Sequence, residues 1–475
     1  MTGKIWKALV LAALLPLALA ACGGGGSDGA SSTPSGTLHV AITDAPSCGF
    51  DHVYVTVSKV RVNASAQAGD NDAGWTTVAL PAPQKIDLLS LTNGVLADLG
   101  QSALPAGEYQ QVRLVLASNA GNTIANSVVP SGGTEQPFDT PSATQSGYKI
   151  IQPFTVQPNT LVDLVLDFNA CKSVVTRGNG SYALKPVVTA TPTTVSGQIA
   201  GYVARAQAGA TVYAEQGGKV VKGTLADSTG KFVLSPLIQS STQGNYDVVI
   251  VQNNVATGVI RSVPVVVNTS TAVSTSDAPI ALPSSSMSTV SGKVTPTADA
   301  LVRALQPVNA AAFEIGSINA NLDTGVYALS LPAAAPIVST YSAALPLSFA
   351  AATAAAGQYT LEADAASGAT QSTGVTATTG QANVNFNFLR IQRGGDEPPG
   401  PLQPGEHDEE SRSPRCAVDR RRRHKRMRRV RSRPRTCCSQ AARRCRQWLL
   451  PARSRQERQL LSDDRSATSS QKKPA

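Results

Sequence analysis

From residue 36 to residue 388 the chain is written in short runs of alternating apolar and polar residues, most of them closed by Gly, Pro, Asp or Asn. A side-chain period of two suits a strand with one buried face and suits no helix. The pattern therefore restricts the chain to sheets joined by tight turns. Leu38, Val40 and Ile42 alternate before Asp44-Ala45-Pro46, and Leu161-Val162-Asp163-Leu164-Val165-Leu166-Asp167-Phe168 reads as a second strand of the same kind. In the run from Val53 to Val62 the valines change parity between Val57 and Val60, which predicts a bulge at Ser58-Lys59 that keeps both sets inward. Further strands are expected at 111–116 and 182–188, and a short helix only within 86–99. The 475 residues are enough for about three domains. Only 5% are aromatic and 15% charged, with 39 Gly and 30 Pro, a balance that agrees with an all-β chain.

The two later domains form an internal repeat. Thr194-Val195-Ser196-Gly197-Gln198-Ile199 recurs as Thr289-Val290-Ser291-Gly292-Lys293-Val294. Gly209-Ala210-Thr211-Val212-Tyr213-Ala214 returns more weakly as Asp299-Ala300-Leu301-Val302-Arg303-Ala304. Asp227 to Leu234 matches Asp323 to Leu329 with one residue fewer, and Gly244-Asn245-Tyr246 matches Gly357-Gln358-Tyr359. Each unit is expected to be a small β-sandwich, at 194–283 and 289–390. The Ser-Gly, Asp-x-x-Gly and Gly-x-Tyr motifs resemble the carboxypeptidase-regulatory-like (transthyretin-like) sandwich, which implies a spacer or binding module. Ala- and Ser-rich stretches around 333–356 make the third domain the one expected to pack least well.

The first 21 residues read as an export signal. Lys4 and Lys7 precede an uncharged apolar run from Ala8 to Ala21, too short to span a bilayer, which stops at Cys22. Leu19-Ala20-Ala21-Cys22 resembles the bacterial lipobox, which implies acylation of the Cys22 thiol and a mature chain that begins there. Each acyl chain supplies about 0.8 kcal/mol per buried CH₂, so several chains anchor a protein stably. Residues 22–35 then serve as a flexible Gly/Ser tether. Gly23 stands where an Asp would favour retention in the inner membrane, so the outer membrane is the expected destination, facing the periplasm or the cell surface.

Residues 36–190 resemble the DUF4382 family of bacterial lipoproteins. The resemblance rests on Gly36-Thr37-Leu38-His39-Val40-Ala41-Ile42-Thr43-Asp44-Ala45-Pro46, Ile86-Asp87-Leu88-Leu89, Leu104-Pro105-Ala106-Gly107-Glu108-Tyr109, Val112-Arg113-Leu114, and Leu166-Asp167-Phe168 followed by Gly180-Ser181-Tyr182-Ala183-Leu184-Lys185-Pro186, in that order. It implies location and β architecture, and no reaction.

Between anchor and tail the chain has two cysteines, Cys48 and Cys171. In an exported chain such a pair is most simply a disulfide, with two buried free thiols as the alternative. Closing so long a loop would stabilise the fold by up to about 5 kcal/mol.

The formal charge of +10 describes no single part of the chain. Residues 391–475 hold 23 of the 41 basic and 10 of the 31 acidic residues, so they carry +13 while the first 390 residues carry −3. The tail from Arg420 to Arg429 could neutralise phosphates, yet an exported chain rarely meets nucleic acid and no aromatics interleave its arginines. Of its basic residues 20 are Arg, and Cys416, Cys437, Cys438 and Cys445 appear without paired zinc spacing. That composition fits a frameshifted or read-through end of a GC-rich gene better than a genuine disordered basic tail, and a folded functional element least.

Little points to catalysis. Residues 53–406 contain no histidine, which excludes most His-dependent chemistry there. His39 and His52 would face one sheet surface near Asp51 if their strands paired, and Asp44, Asp51, Asp163 and Asp167 would offer a Ca²⁺ site if they gathered at a sheet end. Turn-forming and solvent-facing roles are the simpler account of both. No cofactor or metal is expected. The sequence thus describes an all-β, lipid-anchored envelope protein of tandem sandwiches that binds an envelope protein or glycan ligand or serves a structural purpose, without nucleic acid and without enzymatic activity. The alternative is an envelope hydrolase acting on glycan or peptide through carboxylates that spacing does not pair.

Overall fold

The computed structural model describes residues 34–44, 49–121, 123–140, 144–297, 299–377 and 382–388, all within one compact unit, Met1–Gly395. The export signal, Cys22, Cys48 and the basic tail lie outside the described residues. The architecture is all-β, in three sandwiches with three hydrophobic cores.

The first sandwich packs a four-stranded sheet on a nine-stranded one. In the smaller sheet Ser35–Asp44 and Leu161–Phe168 lie side by side and parallel, in continuous register from Thr37↔Leu161 to Asp44↔Phe168. Ala97–Pro105 and Val188–Pro192 flank them. The long strand Phe50–Asn63 organises the larger sheet, and its ladder with Gly107–Leu116 shifts register between Val57 and Lys59. That is the expected bulge. Val53, Val55, Val57, Val60 and Val62 all point into the core, fully buried. The region expected to be helical holds only the 3-10 turn Leu88–Ser90, capped by Asp87, before Ala97 enters a strand.

The second and third sandwiches repeat one topology strand for strand. In the second, Ser196–Tyr202 lies between Lys231–Ile238 and the parallel Ser270–Ala272; in the third, Met287–Thr295 lies between Val326–Pro332 and the parallel Ala382–Asn383. The facing sheets run Lys219–Leu225, Thr211–Gln216, Tyr246–Val251, Gly258–Val263 and, correspondingly, Ala311–Asn319, Ala300–Val308, Gln358–Ala365, Thr370–Thr376. The repeated motifs have physical causes. A Cβ on Gly197 would collide with the carbonyl oxygen of Val266, and one on Gly292 with that of Val384, so the Ser-Gly pair admits the returning chain. The motif tyrosines do equivalent work: the hydroxyl of Tyr246 donates to Ile238 O and that of Tyr359 to Pro332 O, each at the end of the matching strand.

The two repeats are not independent bodies. The Ala- and Ser-rich excursion of the third leaves its own sheets and adds Ile337–Thr340 and Ala350–Ala351 to the second sandwich's sheet, with Ile337–Thr340 parallel to Gly258–Val263. Ile337, Leu347 and Phe349 close the second core. This stretch is cladding shared between the two sandwiches. The outer face of the second sandwich's sheet is covered too: Val249 and Val259 belong to the third core. Val248, Val249 and Ile250 are consecutive and fully buried, the mark of a strand covered on both faces.

Candidate functional site

The residues singled out from sequence do not converge. His39 and His52 lie on strands of different sheets, so the shared histidine surface does not form. His39 stands between Asp163 (Nδ1 to Oδ1, 2.7 Å) and Asp98 (Nε2 to Oδ1, 3.1 Å) on the outer face of the smaller sheet. His52 pairs with Asp87 at 2.6 Å and stacks on Tyr54. The four aspartates are likewise separate. Asp44 is buried and accepts from Ala170 N, Asp51 accepts from Gly132 N, Asp163 holds His39 and Asp167 holds Lys222. Among the described residues no group of three or more His, Cys, Asp or Glu is placed to hold a metal ion. Cys171, which is disulfide-bonded, sits in the helical turn Ala170–Ser173, and Cys48 lies outside the described residues.

What the fold does bring together is a charge cluster where all three sandwiches meet. Thr211–Gln216 presents Tyr213 and Glu215 on the side facing away from the second core, and Ala311–Asn319 of the third sandwich covers that side. Glu314 N donates to Glu215 Oε2 at 3.1 Å. The Glu314 carboxylate is gripped from two domains, by Lys172 of the first (3.0 Å) and by Arg303 of the third (3.1 Å). Arg303 spends its remaining donors on Asp364 (Nε to Oδ2, 3.2 Å), on Glu362 and on Gly218 O of the second sandwich. The planar guanidinium alone can serve so many acceptors at once.

Burial sets the electrostatics here. Glu215 and Glu314 are 0% and 1% exposed, Arg303 5%. Burial, with the neighbouring charges of Glu314 and Asp247, holds the Glu215 carboxyl well above the usual carboxylate range, outweighing the Glu314 N–H and Lys172, which act the other way. Glu215 Oε1 has no partner, which suits a protonated acid better than an anion. Burial opposes the charge on Arg303, but Glu314 and Glu362 overcome it and raise its pKa. The Tyr213 phenol is pushed far up by burial, then by Glu314 and Glu215.

Around this hub the seams are polar. Asn319 Nδ2 donates to Lys172 O and Val174 O, Gly178 N donates to Asp323 Oδ2 at 2.7 Å, and Lys185 reaches Asp299 at 2.7 Å. Between the first and second sandwiches Lys222 meets Asp167 at 2.7 Å with both side chains largely buried. Asn93 accepts from Val233 N and donates through its own N–H to Thr224 Oγ1. The sequence hides these partners, because Tyr213, Glu215 and Arg303 alternate with buried residues and read as solvent-facing. At the hub Glu215, Glu314 and Arg303 are buried, and shallow hollows lie elsewhere, one between Glu108 and Phe154, another over Phe138, Arg177 and Tyr182. The hub's chemistry is cohesion: it fixes three domains in one arrangement.

The fold and hub thus define a tandem all-β protein whose modules are joined through buried ion pairs. Its first sandwich, residues 35–186, matches the family described as domain of unknown function (DUF4382). No curated protein matches the chain. Among solved structures it is similar to a type II cohesin–X-dockerin complex of Acetivibrio cellulolyticus, at 28% identity over 19% of this chain and 58% of that one, with a TM-score of 0.16. The chain thus spans less than two thirds of that structure. It is also similar to a streptococcal ancillary pilin (10% identity, 75% of this chain and 99% of that one, TM-score 0.14) and to the minor pilin GBS52 of Streptococcus agalactiae (12%, 48% and 94%, TM-score 0.15). With TM-scores this low, none of the three bears on how the chain folds or acts.

Proposed function

We propose that the chain is a binding or structural module of the bacterial cell envelope, exported by residues 1–21, acylated on Cys22 and held at the outer membrane through a tether over 22–35. The observation that carries this reading is the hub of Lys172, Glu314, Arg303 and Glu215, which spends buried charge on holding three sandwiches rigid. Such an arrangement suits a presenting arm. A glycan or peptide hydrolase needs two carboxylates open to substrate, whereas Glu215 and Glu314 face each other inside the junction. The two repeats are read as transthyretin-like spacers, and Cys48 as the partner of Cys171.

Intact mass of the detergent-extracted protein, with and without reductant, tests the reading. The expected species begins at an acylated Cys22 and gains two hydrogens on reduction. An unacylated chain, or continued acyl labelling of Cys22→Ser, overturns the anchor assignment.

A further inference from the structure

The internal repeat makes the two copies comparable edge by edge, and one edge differs. In the second sandwich the edge strand Gly258–Val263 is covered by Ile337–Thr340, paired in parallel from Gly258↔Ile337 to Arg261↔Thr340. In the third sandwich the corresponding strand is Thr370–Thr376; no described strand pairs with its outer side, and the Gln371 side chain donates to Asn387 O and accepts from Asn387 N. Tyr246 and Tyr359, equivalent by motif and by hydroxyl bond, fix the alignment. Val248 pairs with Ile260 and Ile250 with Gly258, while Leu361 pairs with Thr373 and Ala363 with Gln371. Residues 258–261 therefore correspond to 371–374.

The open edge keeps the main-chain polarity of its covered twin. Ile337 N donates to Thr257 O and Tyr341 N to Arg261 O, so residues 257, 259 and 261 turn outward to the added strand. In the third sandwich Ala365 N donates to Ala369 O and Ala377 N to Gly357 O, so the odd residues of Thr370–Thr376 bond inward. Residues 370, 372 and 374, the counterparts of 257, 259 and 261, then present their N–H and C=O groups outward. The strand is Thr-Gln-Ser-Thr-Gly-Val-Thr, with no charge, no proline and no bulge, and most of its residues are exposed. Soluble proteins usually blunt a free edge with one of those devices.

The geometry points to Thr370–Thr376 as a docking edge that takes an extended, uncharged, β-branched segment of a partner protein, added in parallel over residues 371–374. The occupant is inferred from the twin edge, where this chain itself supplies Ile337-Val338-Ser339-Thr340. Main-chain bonds give such a site its affinity, and alternate side chains its selectivity. The inference rests on reading the chain as a binding or structural module and names the kind of partner that module takes. It leaves the anchor to the mass measurement above, so either can fail alone.

The test uses the full chain and a synthetic peptide of its own residues 333–349 as the probe. The peptide is expected to bind, to slow amide exchange at Ser372 and Gly374, and to lose about tenfold or more in affinity with Ser372→Pro, which removes one outward donor and no inward one. Exchange in the wild-type chain keeps the test independent of whether that variant folds. No binding, or protection confined to Gly258–Val263, overturns the assignment. A self-association that Ser372→Pro dissolves also overturns it, since the edge would then close on a second copy.

Discussion

The Asp44 carboxylate accepts the backbone N–H of Ala170 at 2.9 Å, joining positions 126 residues apart. The bond falls where two parallel strands end together, at Asp44↔Phe168. Cys48 follows Asp44 by four residues and Cys171 follows Phe168 by three. Parallel pairing thus ends both strands at one end of one sheet, each a few residues before a cysteine in the sequence.

Non-reducing peptide mapping is expected to recover Cys48 joined to Cys171. Cys171→Ser is expected to cost about 2–4 kcal/mol in urea unfolding, since the link closes a long loop of the unfolded chain. A joined peptide carrying any other cysteine would refute the pairing.

Glu215 makes stability depend on pH in a definite direction. Below its ordinary value of 4.5 the acid is protonated in both folded and unfolded chains and contributes nothing. As pH rises through 4.5 toward the much higher folded value, the unfolded chain releases its proton while the folded chain keeps it, so folded stability falls across that window. Glu215→Gln has no proton to lose. Thermal midpoints of variant and wild type are expected to agree near pH 4 and to separate in favour of the variant as pH rises. A variant that loses ground with rising pH would show that Glu215 is held as an anion.

Arg303 joins three carboxylates. Arg303→Met leaves Glu314, Glu362 and Asp364 without their shared cation and is expected to cost about 3–5 kcal/mol in denaturant unfolding. Arg303→Lys restores charge without the planar fork and is expected to recover only part of that loss. Full recovery with Lys would mean that geometry at the hub is unimportant.

The bulge at Ser58-Lys59 supports a sharper expectation. Deleting Ser58 restores a strict period of two in which Val53, Val55, Val57, Val60 and Val62 all keep the inward face without a bulge. The shortened chain is expected to keep the cooperative unfolding of the first sandwich, measured by calorimetry. Loss of that transition would show that the ladder needs the bulge itself and not only its parity change.

That bulge also shows what a sequence can disclose. Five valines that change parity inside one strand admit few solutions, and the repeat motifs fixed the equivalence of Tyr246 and Tyr359 before any contact was known. The pairing of Ser35–Asp44 with Leu161–Phe168 was not legible, because parallel partners far apart in the chain leave no local signal, and so His39 and His52 fell on separate sheets. The hub was hidden for a different reason. Tyr213, Glu215 and Arg303 occupy positions that alternation assigns to water, and only the arrival of another domain makes that side interior.

The crossing of Ile337–Thr340 onto its neighbour sets what can be moved between proteins. A cut near residue 286 would strip the second sandwich of two strands and of Ile337, Leu347 and Phe349 from its core, while the third would carry an unpaired flap. A single repeat is therefore not a transplantable cassette. Graft, truncation and domain exchange have to take residues 194–388 as one piece, since the two copies of the repeat share a sheet and a core and behave as a single part.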